Sequence, residues 1–175
     1  MILGLDVSTS ITGAAIVDNN GELIYSEVWD LRKYKNFFTK SEVIREKIEN
    51  FPYKPERIFI EQSLQSFRSG FSSAKTLSTL SRFNGVVSWI CYHYFAMEPE
   101  YLAATSARKM CGIRIPRGTK AKEVVLQYIL TSEPDFGIVY TKHGNPKPGT
   151  YDKADAIVIA RAGYNLCQKQ KNEES

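Results

Sequence analysis

The run Ile2-Leu3-Gly4-Leu5-Asp6-Val7 constrains the fold more than any other stretch of the chain. A strand that is apolar at nearly every position has no wet face, so it belongs in the middle of a sheet covered on both sides. The one charge in it, Asp6, is costly to bury unless it is paired or bound to a metal. Its inexpensive place is the C-terminal edge of the strand, where ligands bind in open α/β sheets. The plainer alternative is that Asp6 caps the turn Ser8-Thr9-Ser10. Which reading holds depends on whether the rest of the chain brings other carboxylates to the same edge.

With 175 residues the chain is expected to form one domain over 1–167, followed by a polar tail over 168–175 that frays. Hydrophobic residues at 43% and charged residues at 24% fit an ordinary globular protein. The net charge of +4 is mild, so its distribution matters more than its sum. Cys91, Cys111 and Cys167 have neither metal-ligand spacing nor the even count of a disulfide framework, which suits a reducing compartment. The start lacks a signal-peptide pattern and no apolar run is long enough to span a membrane. The expectation is a cytoplasmic protein, not secreted and without a membrane partner.

Along the chain, Thr12–Val17 reads as a second strand, Asp18-Asn19-Asn20-Gly21 as a hairpin turn, and Glu22–Trp29 as a third strand. Residues 30–40 are basic and aromatic; they read as a solvated connection or a DNA-touching loop, the first being the simpler. Ser41 is placed as the cap of a helix reaching Asn50, with Val43, Ile44 and Ile48 inward. Arg57–Glu61 repeats the design of the first strand, an apolar run closing on an acid. A right-handed crossover lays it parallel to the first and sets Glu61 beside Asp6. A long helix is expected over 72–95, apolar at Leu77, Leu80, Phe83 and Val87 among others, for the core and also for a partner subunit. Glu100–Ala104 is a short fifth strand, followed by a helix over Ser106–Cys111 capped by Thr105. The pattern is an α/β fold with a mixed sheet, three antiparallel strands and then parallel ones, flanked by helices.

Two charge patterns complete the reading. Between Arg108 and Lys122 lie Arg108, Lys109, Arg114, Arg117, Lys120 and Lys122 with no acid, running into a helix N-terminus at Thr119. Such a run is either a solvated face or a phosphate-binding one, because helix N–H groups add to the cations. After a Pro- and Gly-rich loop over 131–150, the last helix opens with Asp152 and Asp155, spaced i and i+3 on one face. They serve either as an N-cap with an N3 acid, or as two more members of a carboxylate site. Four acids brought together repel one another and need cations between them. All-oxygen ligation points to magnesium, with manganese able to substitute. Two such ions about 4 Å apart are the apparatus of phosphodiester hydrolysis.

Five stretches in order, LGLDVSTSITGAAIV, IFIEQ, KTLSTLSRFNG, SARKMCGIRIPRGTKAKEVV and DKADAIVIA, resemble the RuvC-type Holliday junction resolvases of the ribonuclease H-like superfamily. The resemblance spans nearly the whole chain, and the lack of appended domains suits a phage or viral member. It implies a ribonuclease H-like sheet and metal-dependent endonuclease activity on four-way DNA junctions. Asp6, Glu61, Asp152 and Asp155 would be the catalytic, metal-binding acids holding two ions. Arg68, Lys75, Arg108, Lys109, Arg114, Arg117, Lys120 and Lys122 would contact DNA, and the 72–95 helix would form a homodimer. The family's aromatic, three positions after the second acid, is Leu64 here; Phe67 is the substitute as junction wedge. Two other classes stay open. One is a sugar-kinase or actin-like ATPase, whose phosphate loop Gly4–Ser10 resembles. The other is a non-catalytic binder of branched DNA.

Overall fold

The computed structural model describes residues 1–62 and 74–173. Five strands form one sheet: β1 (Ile2–Asp6), β2 (Ile11–Val17), β3 (Leu23–Asp30), β4 (Arg57–Glu61) and β5 (Glu100–Leu102), in the order β3-β2-β1-β4-β5. β1 takes the centre, as a strand without a polar face must. Its pairing with β2, and that of β2 with β3, is antiparallel; its pairing with β4, and that of β4 with β5, is parallel. Mixed sheet and flanking helices are therefore as the sequence pattern predicts.

Side-chain alternation divides the two layers. Leu3 and Leu5 of β1, with Ile58 and Ile60 of β4, face α1 (Phe37–Glu49) and α2 (Ala74–Phe95), where Ile44, Ile48, Phe83, Val87 and Ile90 close the core. The opposite parity, Ile2 of β1 and Phe59 of β4, faces α3 (Ala104–Met110), α4 (Ala121–Ser132) and α5 (Thr150–Glu173). α5 lies directly on the sheet because its contact residues are small. A Cβ on Gly4 would overlap backbone atoms of Ala156 and Ala160, and a Cβ on Gly13 would overlap the carbonyl of Asp152. The first turn of α5 is thereby fixed over the centre of the sheet.

Several boundaries differ from expectation. α1 begins at Phe37 because Asn36 caps it, its Oδ1 accepting from the N–H groups of Phe38 (2.8 Å) and Thr39 (3.3 Å). Ser41 is not a cap; it lies inside the helix and donates to the Phe37 carbonyl. α3 starts without a side-chain cap after Ala103, so Thr105 does not cap it. α4 is preceded by Lys120, while the Thr119 hydroxyl donates to the Pro116 carbonyl at 2.7 Å. α5 has already begun at Thr150, so Asp152 is a first-turn residue rather than the N-cap. It also runs on to Glu173, and residues 168–173 continue the helix where a frayed tail was expected. In α2, Phe83 and Val87 are fully buried against the sheet, while Leu77 and Leu80 are half-buried. The half of the expected partner stripe carried by Phe83 and Val87 thus belongs to the core. What α2 leaves outside is Trp89 (62% exposed) and Tyr92 (58%), beside Phe38 (70%) of α1.

Candidate active site

The geometry of the site follows from strand parity. Leu5 pairs with Ile60, so the next residues, Asp6 and Glu61, end adjacent parallel strands side by side. Asp6 shares the parity of Ile2 and Gly4, and Glu61 that of Phe59, so both side chains stand on the face that α5 covers. Asp6 also pairs with Gly13 on β2, the glycine under the Asp152 carbonyl. A single contact thus brings Asp152 over Asp6, and Asp155 follows one turn later.

All four carboxylates are half-buried, and all four titrate above the ordinary carboxylate range. Burial is the largest cause in each. For Asp6 it is reinforced by the charges of Glu61, Asp155 and Asp152, which hold its pKa well above normal. Glu61 is pushed to about 7 by burial and by Asp155, against the opposing pull of Arg108. Asp155 reaches about 6, again with Arg108 opposing. Asp152 is raised by burial, while Lys122 and Arg32 act to lower it. Acids in the first turn of a helix are ordinarily favoured by the helix dipole. At Asp152, the acid in the first turn of α5, burial outweighs that dipole. The mutual influence also places the four groups at one locus.

Among the described residues no ion pair reaches any of the four. The donor set, all carboxylate oxygen with uncompensated charge, fits a hard divalent cation such as magnesium or manganese. It fits in chemistry rather than as a finished cage. Among the described residues no three His, Cys, Asp or Glu side chains are already gathered about a point that could hold an ion.

The predicted phosphate-binding residues divide into near and far. Arg108, half-buried on α3, is close enough to influence Glu61 and Asp155. Its Nε donates to the Ala104 carbonyl at 3.0 Å, which anchors it. Lys122 stands over the Tyr151 ring at 4.9 Å, next to Asp152. Arg108, Lys109 and Arg114 line a cleft of about 360 Å³ with Thr105, Gly112, Ile113 and Ile115. Arg117 and Lys120 are exposed farther along, and Lys120 spends part of its charge on Glu123 at 3.2 Å. Lys75 is exposed near the start of α2. Leu64, Phe67 and Arg68 lie outside the described residues.

Two features escaped the sequence. Asn84 is 3% exposed on the inward face of α2. Its Nδ2 donates to the Glu61 carbonyl at 3.4 Å, tying the end of β4 to the helix behind it, and its Oδ1 finds no hydrogen-bond partner among the described residues. A polar residue between Phe83 and the inward Val87 was the available signal. Arg32 was the second; only the β2–β3 ladder reveals its closeness to Asp152.

No protein-family model matches the sequence, and no curated protein matches it significantly. Solved structures do match in fold. The chain superposes on Thermus thermophilus RuvC in complex with a Holliday junction substrate, with a TM-score of 0.66 at 16% identity, over 96% of this chain and 94% of that one. A second Thermus thermophilus RuvC structure gives 0.67 at 16%, over 97% and 96%. The yeast mitochondrial Holliday junction resolvase gives 0.66 at 14%, over 98% of this chain and 80% of that one. The five-stranded mixed sheet with its flanking helices is therefore the ribonuclease H-like fold of RuvC.

Proposed function

We propose that the chain is a metal-dependent endonuclease that resolves four-way DNA junctions. The observation that carries this reading is the convergence of Asp6, Glu61, Asp152 and Asp155 at one sheet edge, with no ion pair to any of them among the described residues. The fold likeness to resolvases, one of them solved with a Holliday junction, supports the choice of substrate. A pair of magnesium or manganese ions held by these acids would supply the activated water and the stabilisation of the leaving 3′ oxygen. The carboxylates position and neutralise; they do not themselves attract the phosphate. Arg108, Lys109, Arg114 and Lys122 hold the backbone beside them, offsetting phosphate charge where Arg108 already offsets Glu61 and Asp155. The products are 5′-phosphate ends.

Two opposed strands must be cut, which calls for two active sites related by a two-fold axis. The surface available for a second copy is the aromatic face of Phe38, Trp89 and Tyr92. It adjoins a depression of about 400 Å³ lined by Phe37, Phe38, Arg82, Gly85, Val86 and Trp89.

The test is incubation with synthetic four-way junctions, flaps and linear duplex in magnesium, with the nicks mapped. Paired, symmetric nicks in the junction, lost in EDTA, are expected. Undiminished cutting in EDTA would overturn the metal assignment, and equal cutting of linear duplex would overturn the substrate.

A further inference from the structure

The acids have a second set of cations beside them, on the side away from α3. β3 ends at Asp30, which pairs with Ile11. The next residue, Leu31, is fully buried, and its N–H donates to the Ser10 carbonyl at 2.9 Å. Nine residues on, Lys40 Nζ donates to the Thr9 carbonyl at 2.5 Å. Both anchors lie on the turn that directly follows Asp6, so the segment between them is fastened to the acid edge of the sheet. That segment contains Arg32, Lys33 and Lys35, all exposed, and no acid.

Arg32 is held in place. Asp30 accepts from its backbone N–H (3.0 Å), its Nε (2.9 Å) and its Nη2 (2.5 Å). This contact takes one edge of the guanidinium and leaves Nη1 for another acceptor. Asp30, Arg32 and Lys33 line an open depression of about 490 Å³. Asp152 lies between the two basic sets, within reach of the field of Arg32 from one and Lys122 from the other.

Strand order gives the sides. Arg32 follows β3 at one edge of the sheet, and Arg108 lies on the helix that follows β5 at the other. Arg32 therefore approaches the acids from the β3 side and Arg108 from the α3 side, so the two cations flank Asp152, Asp155 and Glu61.

We propose that Arg32, Lys33 and Lys35, with Asp30 as the positioning residue of Arg32, form a second phosphate-contacting wall across the acids from Arg108 and Lys109, gripping a duplex arm of the branched DNA. This rests on the nuclease reading and adds to it a phosphate grip from the β3 side of the acids.

The test is binding of a labelled four-way junction in EDTA across a salt series, read by fluorescence anisotropy. Combined Arg32→Ala, Lys33→Ala and Lys35→Ala lowers the log–log salt slope by about two to three units, one per lost phosphate contact. The three side chains are exposed, so the fold should survive; a melting curve alongside confirms it. Asp30→Ala is the sharper variant. Removal of an acid tightens DNA binding if only net charge matters, whereas loss of the brace on Arg32 weakens it. Weaker binding supports the wall, and tighter or unchanged binding overturns the positioning role. If the triple variant keeps the wild-type slope while Lys109→Ala with Lys122→Ala lowers it, the second wall is wrong and the nuclease reading stands. If the wild type fails to bind the junction at all, both fall together.

Discussion

At the end of the sheet where β4 and β5 begin, charge is matched. Arg57 reaches Glu100 on the neighbouring strand with its Nε at 2.8 Å and its Nη2 at 2.5 Å, and lies within 3.5 Å of Gln170 on α5. At the end where β1 and β4 finish, Asp6 and Glu61 meet Asp152 and Asp155 with no ion pair among the described residues. The same strands and the same covering helix thus carry a neutralised cluster at one end and a frustrated one at the other. Exposed pairs such as Arg57–Glu100 contribute little, about 0–1 kcal/mol, but they cost the fold nothing. Four mutually repelling, half-enclosed carboxylates do cost it stability. On the proposed function, that cost is offset when a cation binds.

The largest expected effect is on chemistry. Asp6→Asn should lower cleavage by roughly 10²–10³-fold or abolish it, on the scale of losing one electrostatic stabiliser of a transition state. Junction binding should survive, since acids do not hold phosphates. Glu100→Gln, at the matched end, should cut normally. Robust cleavage by Asp6→Asn would erase the contrast between the two ends.

The next effect comes from packing. Gly13→Ala drives a methyl into the Asp152 carbonyl. Overpacking of this kind costs about 1–3 kcal/mol. Because the displaced backbone is the one that carries Asp152, cleavage should fall even below the melting temperature. Gly163→Ala is the control: its Cβ would meet the Phe59 ring, away from the acids. It should melt lower yet cut normally when folded. Equal activity in both variants would mean that Asp152 tolerates displacement.

These contrasts also mark what could be read from the sequence. The two strands ending in acid were legible because an apolar run closing on a carboxylate is a local pattern. The i, i+3 spacing of Asp152 and Asp155 on one helix face was legible for the same reason. Segment 30–40 was legible as a solvated connection or a DNA-touching loop, but not as a neighbour of Asp152. Its cations come near Asp152 only through the pairing of β3 with β2, and its helix begins early because Asn36 supplies a cap amid aromatic residues. Apolar and aromatic residues surround α2, so spacing alone did not separate its core side (Phe83, Val87) from its outer one (Trp89, Tyr92). The role of Arg108 as counter-charge to Glu61 and Asp155 is tertiary, and a basic run in the sequence hides it.

Proton linkage sharpens the comparison further. Glu61 and Asp155 have ordinary values of 4.5 and 3.8 and are raised in the fold to about 7 and about 6. Between those limits the folded state binds more protons than the unfolded one, so stability falls as pH rises. In EDTA the melting temperature should therefore drop as pH goes from about 4 to about 7, once the general acid sensitivity of other carboxylates is subtracted by the same titration in Asp155→Asn. Magnesium should flatten the curve near pH 7 by binding the folded site alone. A curve for the wild type that rises to pH 7 and parallels that of Asp155→Asn would show that Asp155 is not strained.

The smallest effect separates the two ends by sign. Asp155→Asn removes one charge from the repelling group while keeping its shape, so in EDTA near pH 7 it should melt higher than wild type. Relief of about 1 kcal/mol corresponds to roughly 2–4 °C in a domain of this size. Asp155 is the sixth residue of α5, beyond the reach of a cap, and the dipole it would forfeit as Asn has faded by that point. Glu100→Gln removes a charge that has a partner, so it should melt at or slightly below wild type, within the small range of an exposed pair. Magnesium should raise the wild type and Glu100→Gln alike, and Asp155→Asn less, because a lost ligand weakens the ion that stabilises the fold by mass action. If Asp155→Asn melts lower in EDTA and responds to magnesium as fully as wild type, the acids at that end are ordinary helix-terminus residues and the difference between the two ends is only one of exposure.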